Sequence, residues 1–152
     1  MLQSNQINNE NSFPPIKSIP LNSQGKVRVL SFDVSFATKS TEAKEDILLV
    51  KLPKNNIKII QIGLTALEAE GTFDLINSNI TYSNVNNKYT IIKDSAIKSA
   101  VSFTSTGSSV LNINETVSAP VEVNSDNYIK IQASIPFTKA NAINGYVLYI
   151  AD

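Results

Sequence analysis

The chain has 152 residues, of which 42% are hydrophobic and 17% charged, and its 13 Lys and Arg balance 13 Asp and Glu. It contains neither Cys nor His, which excludes disulfides and thiolate chemistry and removes the side chain most used for acid–base catalysis near neutral pH. Because it has no basic excess and no run of about 20 apolar residues, we expect neither nucleic acid nor a membrane among its partners.

Residues 1–25 differ in composition from the rest of the chain, since they hold three of the six prolines and many Asn, Gln and Ser. Proline favours extended backbone and removes hydrogen-bond donors. A solvated tail would gain nothing from three closely spaced aliphatic side chains, so we predict an extended arm that becomes ordered against a neighbour. Its anchors would be Ile16, Ile19 and Leu21. The alternative, a tail without stable structure, fits the same composition.

The stretch VRVLSFDVSF, residues 27–36, alternates apolar and polar side chains and predicts a half-buried strand. Its apolar face takes every second residue from Leu30 to Phe36. Val27 and Val29 are out of phase with that face, so we expect a β-bulge near Val29 and Leu30. The polar stretch ATKSTEAKED that follows predicts a loop, with room for one helical turn.

Two strongly apolar runs, ILLVKL and IKIIQIGL, flank a polar break at residues 53–56. Both runs have strand length, and β-branched residues dominate the second. The expected core faces are Leu48, Val50 and Leu52 on the first run and Ile60, Ile62 and Leu64 on the second. Because proline and asparagine favour turns, we predict a tight connection between two core strands, in the form of a hairpin.

The remaining chain holds short apolar runs, among them GTFDLI, NITY, KYTIIKD, SVLNIN, YIKIQASI and GYVLYIAD, separated by Asn, Ser, Gly or Pro. Strands at intervals of about 8–12 residues are typical of a sandwich or barrel. Helical periodicity is weak, and DSAIKSAV, from Asp94, favours a turn or two of helix. We therefore predict an all-β single domain over residues 26–152, either a sandwich or a barrel, preceded by the extended N-terminal arm of residues 1–25.

No arrangement of groups in the sequence indicates catalysis, so we expect a protein that is not an enzyme and uses no cofactor and no metal. A Ser–His–Asp triad is impossible without His, and a Ser–Lys pair of Lys98 with Ser99 or Ser102 is less probable than serines on a polar strand face. A loose acidic set could serve glycoside hydrolysis or calcium binding, although solvated loop charges explain it more simply. Its members are Glu42, Glu45, Asp46, Glu68, Glu70 and Asp74.

Five tyrosines leave a binding role open. Exposed aromatic rings stack on sugars, so the alternative function is a carbohydrate- or surface-binding module, such as a fibre tip or an adhesin subunit. The chain has no Trp, and Tyr128, Tyr146 and Tyr149 lie within apolar runs, which favours packing in the core or at an interface. Two Asn-X-Thr sequons, at Asn79 and Asn114, carry little weight, since residues 1–13 lack the features of a secretory signal.

One resemblance takes the function further. Residues 45–46 form an acidic start, residues 52–54 a Leu-Pro-Lys turn, residues 57–66 an apolar strand that ends in Thr-Ala, and residues 71–74 a Gly-Thr-Phe-Asp strand. The chain closes with GYVLYIAD, at residues 145–152. This arrangement resembles that of a group of small structural proteins in tailed bacteriophages. The resemblance covers the central third and the C-terminus, and it covers the N-terminal arm poorly.

The resemblance implies a jelly-roll-like β-sandwich that decorates a phage capsid as an auxiliary protein or forms the base of a head fibre. The abundance of Asn, Ile and Lys suits a phage of the crAss-like group. The implied partner is the major capsid protein lattice, and the implied location is the capsid exterior of the virion after synthesis in the host cytoplasm. We also expect a homotrimer, because an extended arm can add to a sheet edge and oligomerisation raises its effective concentration. No active-site residues are implied.

Overall fold

The computed structural model describes residues 2–4, 27–36, 41–54, 56–67, 71–102, 108–117, 125–137 and 142–151. These residues form nine β-strands and no helix, so none of them belongs to a helix that could cross a membrane. The strands are β1 (Leu2–Gln3), β2 (Val27–Ser35), β3 (Asp46–Lys51), β4 (Ile57–Leu67), β5 (Thr72–Ser83), β6 (Lys88–Ser102), β7 (Ser108–Val117), β8 (Ser125–Ala133) and β9 (Ala142–Ala151).

The strands form two sheets. Sheet A has five strands in the order β1-β3-β8-β5-β6, and sheet B has four in the order β2-β9-β4-β7. The pair β1–β3 is parallel, and every other neighbouring pair is antiparallel. From β2 onward, each connection passes from one sheet to the other, except the connection from β5 to its neighbour β6.

This order is that of a jelly roll. The eight strands β2 to β9 form a single folded ribbon, in which β2 pairs with β9, β3 with β8, β4 with β7 and β5 with β6. Wrapping such a ribbon produces two four-stranded sheets, and β1 adds a fifth strand to sheet A. The predicted all-β, jelly-roll-like sandwich is confirmed. The predicted hairpin at residues 53–56 is wrong, because β3 and β4 belong to different sheets and their connection crosses the sandwich.

The core lies between the sheets and takes alternate residues of the facing strands. On β4, Ile62 and Leu64 are buried there as predicted. The pairing register shifts between Ile59 and Gln61, which puts Ile59 into the core and leaves Ile60 half-buried outside it. A bulge adds one residue to one strand and reverses the faces beyond it, so the prediction for Ile60 was wrong.

A second register shift, between Leu48 and Val50, does the same to β3. Val50 and Leu52 belong to the core as predicted, whereas Leu48 lies on the outer face of sheet A with Ile80 and Tyr128. The run ILLVKL is therefore apolar on both faces because both faces of β3 are buried. Strict alternation could not separate these two environments.

Strand β2 follows the predicted alternation, with Phe32 and Val34 buried in the core. The expected bulge near Val29 is wrong, since β2 pairs with β9 without any register shift. Val27 and Val29 lie on the outer face of sheet B, where they are 54% and 57% exposed. The two valines are out of phase with the core face because they form an exposed apolar surface, and the backbone of β2 is regular.

The helical turns expected from Asp94 are absent from the described residues, because residues 94–101 lie within β6. The Asp94 carboxylate accepts a hydrogen bond from the Ser78 hydroxyl (2.5 Å) on the neighbouring strand instead of capping a helix. The strand ladder along β5 thus overrides a weak local helical period.

The start of the predicted arm pairs with the domain itself. Leu2 lies opposite Ile47 and Gln3 opposite Leu48, and the Ser4 N–H donates to the Leu48 carbonyl (3.1 Å). Residues 2–4 thereby extend sheet A at its β3 edge. The predicted anchors, and with them the arm's role, lie outside the described residues: Ile16, Ile19 and Leu21.

Two glycines allow β9 and β4 to pair closely. A Cβ on Gly145 would overlap the carbonyl oxygen of Gly63 and the ring of Phe32, whereas a Cβ on Gly63 would meet only the Tyr146 ring. We expect Gly145→Ala to lower the free energy of unfolding by about 2–3 kcal/mol, because backbone must move. Gly63→Ala should cost less, since the Tyr146 side chain can move with the loss of its hydrogen bond to Gln61, and no backbone has to move. Urea unfolding checks the order, and equal costs would contradict the close approach at Gly145.

Candidate functional site

The outer face of sheet B carries an apolar stripe, formed by Val27, Val29, Leu148 and Ile150. Val27 lies opposite Ile150 and Val29 opposite Leu148, so the four side chains are contiguous on edge strand β2 and its neighbour β9. The two valines are more than half exposed, and the other two residues are half-buried. A contiguous exposed apolar surface on a neutral domain is typical of an interaction site.

The stripe ends at Tyr146, whose ring lies over Gly63 on the same outer face. The Tyr146 hydroxyl donates to Gln61 Oε1 (2.9 Å), and Gln61 Nε2 donates to Asn112 Oδ1 (3.1 Å). This chain of hydrogen bonds crosses from β9 through β4 to β7. It fixes the ring on the sheet, so Tyr146 packs as predicted rather than projecting towards solvent.

The outer face of sheet A is different, because its central apolar residues are buried, although Ile91 on the edge strand β6 is 40% exposed. Leu48, Ile80 and Tyr128 form a small cluster with no exposed surface, and Tyr89 packs against it. The rings of Tyr89 and Tyr128 meet edge to face with 6.2 Å between their centroids, and the ring centroids of Tyr82 and Tyr89 are 4.5 Å apart. Since these rings are held together, the apolar stripe on sheet B is the more accessible apolar surface among the described residues.

Beside this cluster lies a fully buried ammonium group. Lys130 Nζ lies 3.1 Å from Asp46 Oδ1 and 2.9 Å from Asp94 Oδ2. The carboxylates are held in turn, Asp46 by Gln132 Nε2 (2.6 Å) and Asp94 by the Ser78 hydroxyl. The network joins strands β3, β8, β5 and β6. A buried charge needs such partners, so we assign this cluster to the stability and register of sheet A.

At one end of sheet A, the face towards sheet B turns from apolar to polar. On β5, Phe73 and Leu75 are in the core, and the next residues of the same face are Asn77 and Asn79. Asn79 lies opposite Asn127 on β8. Inner faces of sandwiches are normally apolar, so asparagines at two successive inward-facing positions require an explanation.

These asparagines line a cleft of about 200 Å³ between the sheets, at the edge formed by β6 and β7. We call this site the polar cleft. Its other polar lining residues come from β6 and β7: Lys93, Ser95, Glu115 and Thr116. Lys93 lies directly opposite Asn79, and Ser95 directly opposite Asn77.

The structure does not bring the other predicted chemical groups together. Lys98, Ser99 and Ser102 are exposed along β6, which agrees with a polar strand face. Asp46 pairs with Lys130, and Asp74 accepts the N–H of Ala100 (2.8 Å). In the described part of the chain, which omits Glu68 and Glu70, no acidic cluster could hold a metal ion.

The polar cleft was not predicted from the sequence, although the sequence contains a signal for it. Asn77 and Asn79 continue the period-two phase of Phe73 and Leu75, and Asn127 continues that of Ile129. Polar residues in phase with a core face are the mark of a buried polar site. The sequon at Asn79 is buried, at 5% exposure, so a glycan there would be incompatible with the fold.

No family model matches the chain, and no curated protein matches it. Among solved structures, VP2 of infectious bursal disease virus in a subviral particle aligns with a TM-score of 0.44 and 15% identity, over 90% of this chain and 37% of that chain. The chain therefore spans little more than a third of the VP2 chain that it matches. Similarity at this level concerns the strand arrangement alone.

Two further solved structures are similar over most of their own length. The appendages of Bacillus endospores, described as disulfide-linked pili, align with a TM-score of 0.34 and 10% identity, over 89% of this chain and 98% of that chain. A structure of a CBM4 module aligns with a TM-score of 0.32 and 12% identity, over 82% and 84%. None of the three assigns a role to this chain.

Proposed function

We propose that the protein is a non-enzymatic structural component of a phage particle, which decorates or stabilises the capsid as an auxiliary protein or head-fibre base. The observation that supports this most is the apolar stripe on sheet B, which gives a neutral jelly roll a surface suited to a protein partner. The resemblance of residues 43–79 and 145–152 to phage structural proteins supports a virus shell as that partner.

In this proposal, sheet B faces the major capsid protein lattice, and the stripe of Val27, Val29, Leu148 and Ile150 is buried against it. Residues 2–4 and strand β2, the described residues on either side of the arm, lie at the same edge of the sandwich, because β1 lies beside β3 and β3 contacts β2. The anchors Ile16, Ile19 and Leu21 would add to the contact. A homotrimer would multiply each weak contact through effective concentration.

Co-sedimentation with capsids of the virus that encodes the chain tests the attachment. We expect the double variant Val27→Lys, Val29→Lys to stay in the supernatant, because two ammonium groups cannot be desolvated against an apolar shell site. Its free energy of unfolding should change by no more than about 0.5 kcal/mol, as is usual for exposed positions. Val85→Lys is the matched control, since Val85 is 98% exposed at the far β5–β6 turn, and it should pellet with capsids.

The arm is tested in the same assay by replacing its three anchors with serine, which keeps residues 2–4 on the edge of β3. We expect weaker pelleting of this triple variant, by about tenfold or more in affinity, because three apolar contacts are lost. Undiminished attachment of the triple variant would reject the arm. Undiminished attachment of the double lysine variant would reject sheet B as the shell-facing surface.

A further inference from the structure

The polar cleft holds two acceptors that the fold does not use. The side-chain oxygens Oδ1 of Asn77 and Asn79 are buried and accept no hydrogen bond, and Asn79 as a whole is 5% exposed. Buried acceptors without donors destabilise a fold. Apolar residues at these two positions would simply continue the core, so the asparagines are costly unless something in the cleft donates to them.

The charges of the cleft limit what that ligand can be. Its walls carry one ammonium group, Lys93, and one carboxylate, Glu115, and the two form no ion pair with each other. The lining is therefore neutral overall. A metal cation would meet the Lys93 charge and find a single carboxylate, which is a poor set of ligands for calcium. A neutral ligand that both donates and accepts hydrogen bonds fits better.

The volume of the cleft limits the size of the ligand. A volume of about 200 Å³ is smaller than the roughly 300–1,000 Å³ of sites for drug-sized molecules. It corresponds to about seven water molecules at about 30 Å³ each, which is the scale of one small ring with its hydroxyl groups. Ala96, Ile97 and Val117 supply apolar wall beside the polar groups, as the CH face of a sugar ring requires.

We propose that the polar cleft binds one neutral, hydroxyl-rich ring, namely a monosaccharide or the terminal residue of a glycan. Hydroxyl groups of the ring donate to Oδ1 of Asn77 and of Asn79 and to the Glu115 carboxylate, and another hydroxyl accepts from Lys93. The cleft lies at the β6–β7 edge, away from the stripe on β2 and β9. A shell-bound copy would thus present the sugar site separately from its attachment surface.

The test is a titration of the full chain, labelled with ¹⁵N, with glucose, galactose, mannose and N-acetylglucosamine, followed by NMR. We expect at least one sugar to shift the side-chain amide signals of Asn77 and Asn79 in a saturable manner. Asn79→Leu should weaken that binding by about tenfold or more, because it removes one acceptor. The matched control is Asn114→Leu at an exposed position of β7, which should leave binding unchanged.

Thermal unfolding of Asn79→Leu separates a ligand site from a structural role. If the Asn79 oxygen has no partner within the fold, leucine removes an unsatisfied buried group and the melting temperature rises. A fall in melting temperature would contradict the proposal, as would the absence of shifts with all four sugars. Shifts of the same signals by calcium alone would overturn the ligand class. The double lysine variant of the stripe should still bind sugar, so this test can fail independently of shell attachment.

Discussion

Ile62→Asp should abolish the native state or lower its free energy of unfolding by about 4 kcal/mol or more. Ile62 has no exposed surface and lies in the core between the sheets, so a carboxylate there would be buried without a partner. Urea unfolding followed by circular dichroism measures the change. Ile60→Asp is the matched control, because Ile60 is the same residue type on the same strand and lies half-buried outside the core.

Val50→Asp should behave like Ile62→Asp, since Val50 is fully buried on the facing sheet. Ile60→Asp should cost clearly less than either. Native stability of the Ile62→Asp variant would show that the core faces are assigned wrongly. A cost of Ile60→Asp equal to that of Ile62→Asp would contradict the register shift on β4.

Removing the two carboxylates around Lys130 should have the second large effect. The double variant Asp46→Asn, Asp94→Asn leaves a fully buried ammonium group with neutral partners only, and we expect a loss of about 3 kcal/mol or more of unfolding free energy. Lys130→Met should cost less, about 1.5 kcal/mol or below, because the unbranched side chain keeps the packing. The two carboxylates it leaves can reach solvent, since Asp46 and Asp94 are 17% and 39% exposed.

Chemical denaturation of both variants at neutral pH compares these costs directly. The expected order follows from burial alone: the cation has no route to water, and the anions do. If Lys130→Met were the more destabilising variant, the network would act mainly through attraction rather than through the cost of an unpaired charge. A double carboxylate variant as stable as the wild type would show that this network does not stabilise sheet A.

The strands and their type could be read from the sequence because period-two alternation is a local property. It placed Phe32 and Val34 on the core face of β2 and Ile62 and Leu64 on that of β4. It failed at Leu48 and Ile60, where a bulge shifts the phase. A bulge depends on how one strand pairs with its neighbours, and that pairing is not written in the strand's own residues.

Local sequence patterns could not predict the strand order, for a similar reason. The break at residues 53–56 has the composition of a turn, and the same composition serves a hairpin or a crossing between sheets. The pairing of β2 with β9 joins residues more than a hundred positions apart, so it follows from the jelly-roll topology and not from nearby residues. The phage resemblance implied that topology, whereas alternation alone left sandwich and barrel open.

The candidate sites show the same limit. Val27 and Val29 were noticed as out of phase, yet the stripe appears only when β9 places Leu148 and Ile150 beside them. The polar cleft needs Asn77 and Asn79 from β5 to face residues from β6 and β7. The Lys130 network draws its groups from four strands. In each case the residue types can be read from the sequence, but their proximity depends on how the strands pair.

Electron cryomicroscopy of purified particles of the virus that encodes the protein is the most direct test of its proposed place on a shell. We expect two-sheeted density on the outside of the capsid, with sheet B and the side chains of Val27 and Val29 turned towards the lattice. Density with sheet A against the lattice, or particles that lack the protein altogether, would contradict it.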